Sequence, residues 1–80
     1  MQTREIDGFK VSAETFQSGQ SRPRPQIKTE ALDGFVGERW FDISTDQSFR
    51  TVLEAQRVAR EVVSAVVSVS KEGEPYPLTY

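Results

Sequence analysis

Residues 49 to 70, "FRTVLEAQRVAREVVSAVVSVS", decide the fold, because they carry the helical periodicity in a chain otherwise made of short extended segments. At 100° per residue, Val52, Ala55, Val58, Ala59, Val62, Val63, Ala65, Val66 and Val69 spread over well above half of a helix circumference. A helix lying on one sheet needs an apolar stripe only somewhat wider than ~100°. The rest of the surface requires a second neighbour. The chain offers Tyr76, Leu78 and Tyr80 near its C-terminal end or the region around Ile6, and the same helix of a second copy is the third candidate. Opposite lies a narrow polar strip of Arg57, Arg60, Glu61 and Ser64, with Glu54 to Arg57 and Arg57 to Glu61 spaced as surface ion pairs.

Thr51 followed three residues later by Glu54 matches a capping box, so the helix is predicted to begin near Val52. Its end is harder to read, since "VVSAVVSVS" is rich in β-branched residues that also suit a strand. A separate strand would require a turn within "AREVVSAVV", which contains no Gly, Pro or Asn. The helix is therefore predicted to continue to about Ser68 or Ser70, with Gly73 as its cap. "PYPLTY" beyond it must be extended, because prolines stand at 75 and 77.

Upstream, "FKVSAETF" from Phe9 to Phe16 alternates apolar and polar positions and reads as a half-buried strand. "QSGQSRPRP" is a loop leading to a second strand, Gln26 to Ala31, whose neighbouring Pro23 and Pro25 favour an edge or strand-entry position. A turn around Asp33-Gly34 leads to a third strand from Glu38 to Ser44. An odd-length loop through Gly37 places Ile27 on the face of Phe41 and Ile43, and leaves Trp40 with Lys28 on the other. A two-residue turn would instead pair Ile27 with Trp40.

The fold predicted is α+β: a three-stranded antiparallel β-meander over residues 6 to 44, with one long C-terminal helix packed on one face. Residues 1–80 form a single domain, with 1–5 and 74–80 as flexible or partly docked tails. A domain of this length buries only about 60 to 65 percent of its unfolded surface, so its stability depends on good packing or self-association.

Cysteine and histidine are both absent. That excludes disulfide staples, thiolate or imidazole metal sites, and nucleophile systems built on His or Cys. Asp42 and Asp46 lack a third ligand or a calcium loop, so they read as turn and helix-entry residues. No catalytic, cofactor or metal site is expected, and the protein is not expected to be an enzyme. With ten basic and twelve acidic residues interspersed, the net charge of -2 gives no global field toward phosphate backbones or anionic membranes. No segment approaches the ~20 apolar residues of a membrane span, and no signal peptide is evident, so a cytoplasmic location is the expectation.

Two surfaces remain. Trp40, Val58, Val62, Val66, Val69, Tyr76, Leu78 and Tyr80 are the candidates for contact with a protein partner or with a second copy in a homodimer. Lys10, Arg22, Arg24, Lys28, Arg39 and Trp40, with Phe16 beside them, are the candidates for nucleic-acid binding on the open sheet face. Glu14, Glu30, Glu38 and Asp42 fall in the same region and oppose phosphate.

Phe49, Thr51, Glu54, Ala55 and Ala59 form an F-x-T-x-x-E-A-x-x-x-A pattern, preceded by a Gly8-Phe9 start and a set of short strands. In this the chain resembles a group of small single-domain bacterial proteins of unknown function, over roughly residues 6 to 65. The resemblance implies the meander, the helix entry and a bacterial origin, and it implies no activity.

Overall fold

The computed structural model describes residues 3–34 and 37–80. Its sheet begins earlier than the apolar alternation suggests. Strand β1, Thr3–Ile6, pairs antiparallel with β2, Phe9–Phe16, in the register Ile6 with Phe9 and Arg4 with Val11. The two strands are joined by Asp7-Gly8 alone, with φ of 52° and 83°. Two consecutive positive φ values match the right-handed twist of a two-residue hairpin, and an Asp-Gly pair adopts them readily. The sheet is therefore four-stranded, and Thr3, Arg4 and Glu5 belong to it instead of to a tail. Met1 and Gln2, also assigned to that tail, lie outside the described residues.

Strand β3, Arg24–Ala31, pairs with β2, and β4, Arg39–Asp42, pairs with β3, giving an antiparallel order β1-β2-β3-β4. Pro25 thus enters a central strand, near its first residue, where it faces Thr15. Ile27 stands opposite Phe41 and Lys28 opposite Trp40, the register of the odd-length loop. Phe35 and Val36 within that loop lie outside the described residues.

Helix α1, Val52–Ala65, opens with the capping box read from the sequence. The Thr51 hydroxyl accepts from the Glu54 N–H at 3.2 Å, and Glu54 Oε1 accepts from the N–H groups of Thr51 and Arg50. Its other end departs from expectation, since the chain leaves the helix at Val66, with φ -64° and ψ 130°. A reversal at this point would need Gly or Asn, but a straight exit into extended backbone does not, and β-branched residues favour it. The reversal comes later, at Ser70 to Glu74, where Gly73 at φ +88° closes a hairpin and caps no helix. That hairpin joins β5, Ser68–Val69, to β6, Pro75–Tyr76.

The C-terminal residues then return to the sheet. Ser44 N–H donates to Leu78 O at 2.7 Å and Tyr80 N–H donates to Ser44 O at 2.9 Å, forming a parallel bridge just past β4. The 74–80 segment is docked. Leu78 packs on the core, with Ile6 also packed against it, and the Tyr80 hydroxyl donates to Glu61 on the helix at 2.9 Å. The broad apolar face of the helix is thus covered within the chain, by the sheet, by Ile43 and Phe49, and by the segment from Val66 to Leu78. The polar arc is also wider than the sequence suggests: Val52, Leu53 and Ala65 are exposed beside Arg57, Arg60, Glu61 and Ser64. Glu54 and Glu61, spaced for ion pairing with Arg57, are instead engaged by the N-cap and by Tyr80. Among the described residues no helix is long and apolar enough to cross a membrane.

Candidate interaction surface

Alternation divides the sheet residues cleanly. Val11, Ala13, Ile27 and Ala31 are buried under the helix, so the residues between them face the other way. Across the strands these form rows: Glu5, Lys10 and Glu30; Thr3, Ser12, Lys28 and Trp40; Glu14, Gln26 and Asp42; Phe16 and Arg24. Of the basic and aromatic residues singled out in the sequence, Lys10, Phe16, Arg24, Lys28 and Trp40 share this open face. Arg39 does not. It stands opposite the buried Thr29, on the helix side, with its Cδ close to the space a side chain at residue 73 would occupy. Arg22 lies in the loop before β3, off the sheet.

The cations on the face are matched by acids. Lys28 Nζ is 3.0 Å from Glu38 Oε2 and 5.5 Å from the Trp40 ring centre. The hydrogen bond to Glu38 holds the Lys28 ammonium above the ordinary lysine range against the opposing effect of burial, and the Glu38, Glu14 and Glu30 charges add to it. Arg24 lies over the Phe16 ring at 5.2 Å, with Nη1 3.7 Å from Asp42 Oδ2. Lys10 sits between Glu5 and Glu30 in register. Such exposed pairs add little stability. Their effect is to cancel the field that a phosphate backbone would feel.

What stays open is apolar. Phe16 is 43% exposed and Trp40 52%, and with Thr15 they wall a shallow notch over Gln26. Gln26 Nε2 donates to Asp42 Oδ1 at 2.7 Å, which fixes the amide. Gln26 was not among the residues singled out in the sequence. The register places it between Phe16 and Trp40 on the diagonal, and that relation alone could have found it.

No protein-family model, no curated protein and no solved structure matches this chain. Its functional reading therefore rests on the disposition of its own residues.

The remaining protein-contact candidates divide into buried and exposed. Val58, Val62 and Val66 are at most 2% exposed and Val69 is 7% exposed. They are core residues and present no surface to a partner, which removes these four from the contact candidates named in the sequence. Leu78 is half-buried against the same core. Tyr76 and Tyr80 remain largely exposed. Among the described residues no group of acidic side chains is arranged to hold a metal ion.

Proposed function

We propose that this domain is a non-enzymatic protein-interaction module that presents Phe16 and Trp40, across Gln26, to a protein partner. The observation that carries the reading is the pair of half-exposed aromatic rings on either side of Gln26, on a sheet face whose cations are already matched by carboxylates. Trp and Arg are enriched at binding hot spots, and a large aromatic side chain left in water gains most from being covered. With Val58, Val62, Val63 and Val66 consumed by the core, self-association through this face is part of the same reading.

The chain contains a single Trp, so the emission of Trp40 reports on the site directly. Sedimentation velocity over a wide concentration range, read together with that emission, identifies a second copy as partner if dimerisation and a blue shift rise together and both vanish in Trp40→Ala. A monomer at all concentrations directs the reading to a different protein. Any binding partner held equally well by the double variant Phe16→Ala, Trp40→Ala sinks it.

Nucleic-acid binding by Lys10, Arg24, Lys28 and Trp40 is the alternative, and the two exposed rings favour it as stacking platforms. Glu5, Glu14, Glu30 and Asp42 on the same face oppose it. Binding of single-stranded DNA that weakens steeply with salt and is lost in Lys28→Ala would support this alternative. Absence of binding at low salt would remove it.

A further inference from the structure

At the end of the sheet, where β3 begins and the chain leaves β4, a cavity of about 300 Å³ opens between the extended run Arg22 to Pro25 and the loop from Asp42 to Phe49. Its inner walls are apolar: Pro23, Pro25, Ile43 and Phe49 are all buried. Its rim carries Arg22, Arg24, Asp42, Thr45 and Ser48. A concave site with apolar walls and a few convergent polar groups is the usual form of a small-molecule pocket, and this volume lies at the small end of that range.

The charges on the rim are unequally occupied. Asp42 accepts a hydrogen bond from Gln26 Nε2 at 2.7 Å on Oδ1 and forms a loose ion pair with Arg24 at 3.7 Å on Oδ2. Arg24 is in turn held over Phe16. Arg22 has no hydrogen bond or ion pair among the described residues. Two arginines against one aspartate leave one positive charge at the mouth, and it resides on a guanidinium whose donor fork matches a carboxylate. The hydroxyls of Thr45 and Ser48 add donors on the facing loop.

We infer that this cavity is a binding site for a small organic monocarboxylate, with a flat apolar body between Pro23, Pro25 and Phe49 and its carboxylate on Arg22. A dianion suits the site less well, because the Asp42 carboxylate lies in the same rim. The cavity shares no lining residue with the Phe16–Trp40 notch, although Asp42 and Arg24 of its rim contact Gln26 and Phe16 of the notch.

The test uses the full chain with benzoate as probe, benzamide as its neutral counterpart and phenyl phosphate as a dianion, each titrated while amide resonances of Thr45, Gln47 and Ser48 are followed. Benzoate should give saturable shifts at these amides. Benzamide should bind at least about tenfold more weakly, as should benzoate to Arg22→Gln, since each loses a charge-assisted hydrogen bond. Arg22→Lys should retain part of the affinity, because it keeps the charge and loses the fork. Arg22 is exposed, so an unchanged melting temperature in both variants separates lost binding from lost folding. The inference is overturned if benzoate gives no saturable shift, if benzamide or Arg22→Gln matches it, or if phenyl phosphate binds more tightly than benzoate.

Discussion

Arg4 Nη1 donates to Val63 O at 2.7 Å, tying the first strand of the sheet to the last turn of the helix 59 residues later. The same nitrogen lies 3.0 Å from Ser64 O and 2.9 Å from Val66 O. These carbonyls lie at the end of the helix, where the helix dipole is negative, and that of Val63 also accepts from the Val66 N–H at 3.2 Å. No basic residue occupies the last turn of α1 itself. Arg4 supplies from another element what a C-terminal cap supplies locally.

Replacing Arg4 by Ala should therefore destabilise the fold by about 1.5–3 kcal/mol, the range for hydrogen bonds to charged groups. Arg4→Lys should recover part of the loss through charge alone. Urea unfolding of the two variants checks this. A midpoint unchanged in Arg4→Ala would mean that water caps the helix equally well.

At the opposite end of the helix, Thr51→Ala should cost roughly 1 kcal/mol, as loss of an N-cap generally does. Glu54 adds a pH dependence. The backbone N–H of Arg50, and then that of Thr51, hold its carboxyl below the ordinary glutamate range. A depressed folded value means stability that is present above the ordinary glutamate value and is lost as pH falls through the depressed one. The difference in unfolding midpoint between the native chain and Glu54→Ala should be constant near neutrality and should narrow in acid. A difference independent of pH would show that packing, and not charge, sets the role of Glu54.

These two helix ends show what a sequence can and cannot convey. Thr51 and Glu54 lie three residues apart, and their roles follow from local spacing. The exit at Val66 depends on Arg4, whose sequence neighbourhood "TREI" reads as polar because β1 is an edge strand with only Arg4 and Ile6 directed inward. A local signal for β1 was available in Asp7-Gly8, a two-residue hairpin turn beside an alternating strand. A strand after the helix needs no turn residue within "AREVVSAVV", since the chain runs on extended to Ser70 before reversing. On the open face, alternation and register were enough to bring Lys28 and Trp40 together. Arg39 was misplaced because its charge outweighed its parity with the inward-facing Phe41 in the same strand.

Gly73 stands where the β5–β6 hairpin meets the sheet, and its carbonyl accepts from the buried Thr29 hydroxyl at 2.7 Å. A Cβ at this position would lie 3.2 Å from Thr29 Oγ1 and 3.4 Å from Phe9 Cε2, on backbone at φ +88° that L residues rarely adopt. Gly73→Ala should destabilise by about 1–3 kcal/mol, through strain and crowding together. Thr29→Val keeps the shape but removes the donor and leaves the Gly73 carbonyl unsatisfied, at a cost of about 1–3 kcal/mol. Thermal or urea unfolding measures both. A Gly73→Ala variant as stable as the native chain would mean that the hairpin is not seated on Phe9 and Thr29.

The docking of the C-terminal segment can be read from Tyr80. Its hydroxyl donates to Glu61 Oε2 at 2.9 Å, and this hydrogen bond, with burial and the Glu61 charge adding to it against the opposing charge of Arg57, raises the phenol above the ordinary tyrosine range. A raised folded value means that the clasp contributes fully below the ordinary tyrosine value of about 10 and is lost as pH climbs through the raised one. Ionisation removes the donor and sets two negative oxygens against each other. The chain has two tyrosines, so ultraviolet titration at the tyrosinate band in a Tyr76→Phe background isolates Tyr80. Its midpoint should lie above the ordinary value and should fall toward it in Glu61→Gln, which keeps an acceptor and removes the charge. A midpoint at the ordinary value that Glu61→Gln leaves unmoved would mean that the segment does not rest on the helix, and the apolar flank beneath Leu78 would then need another cover.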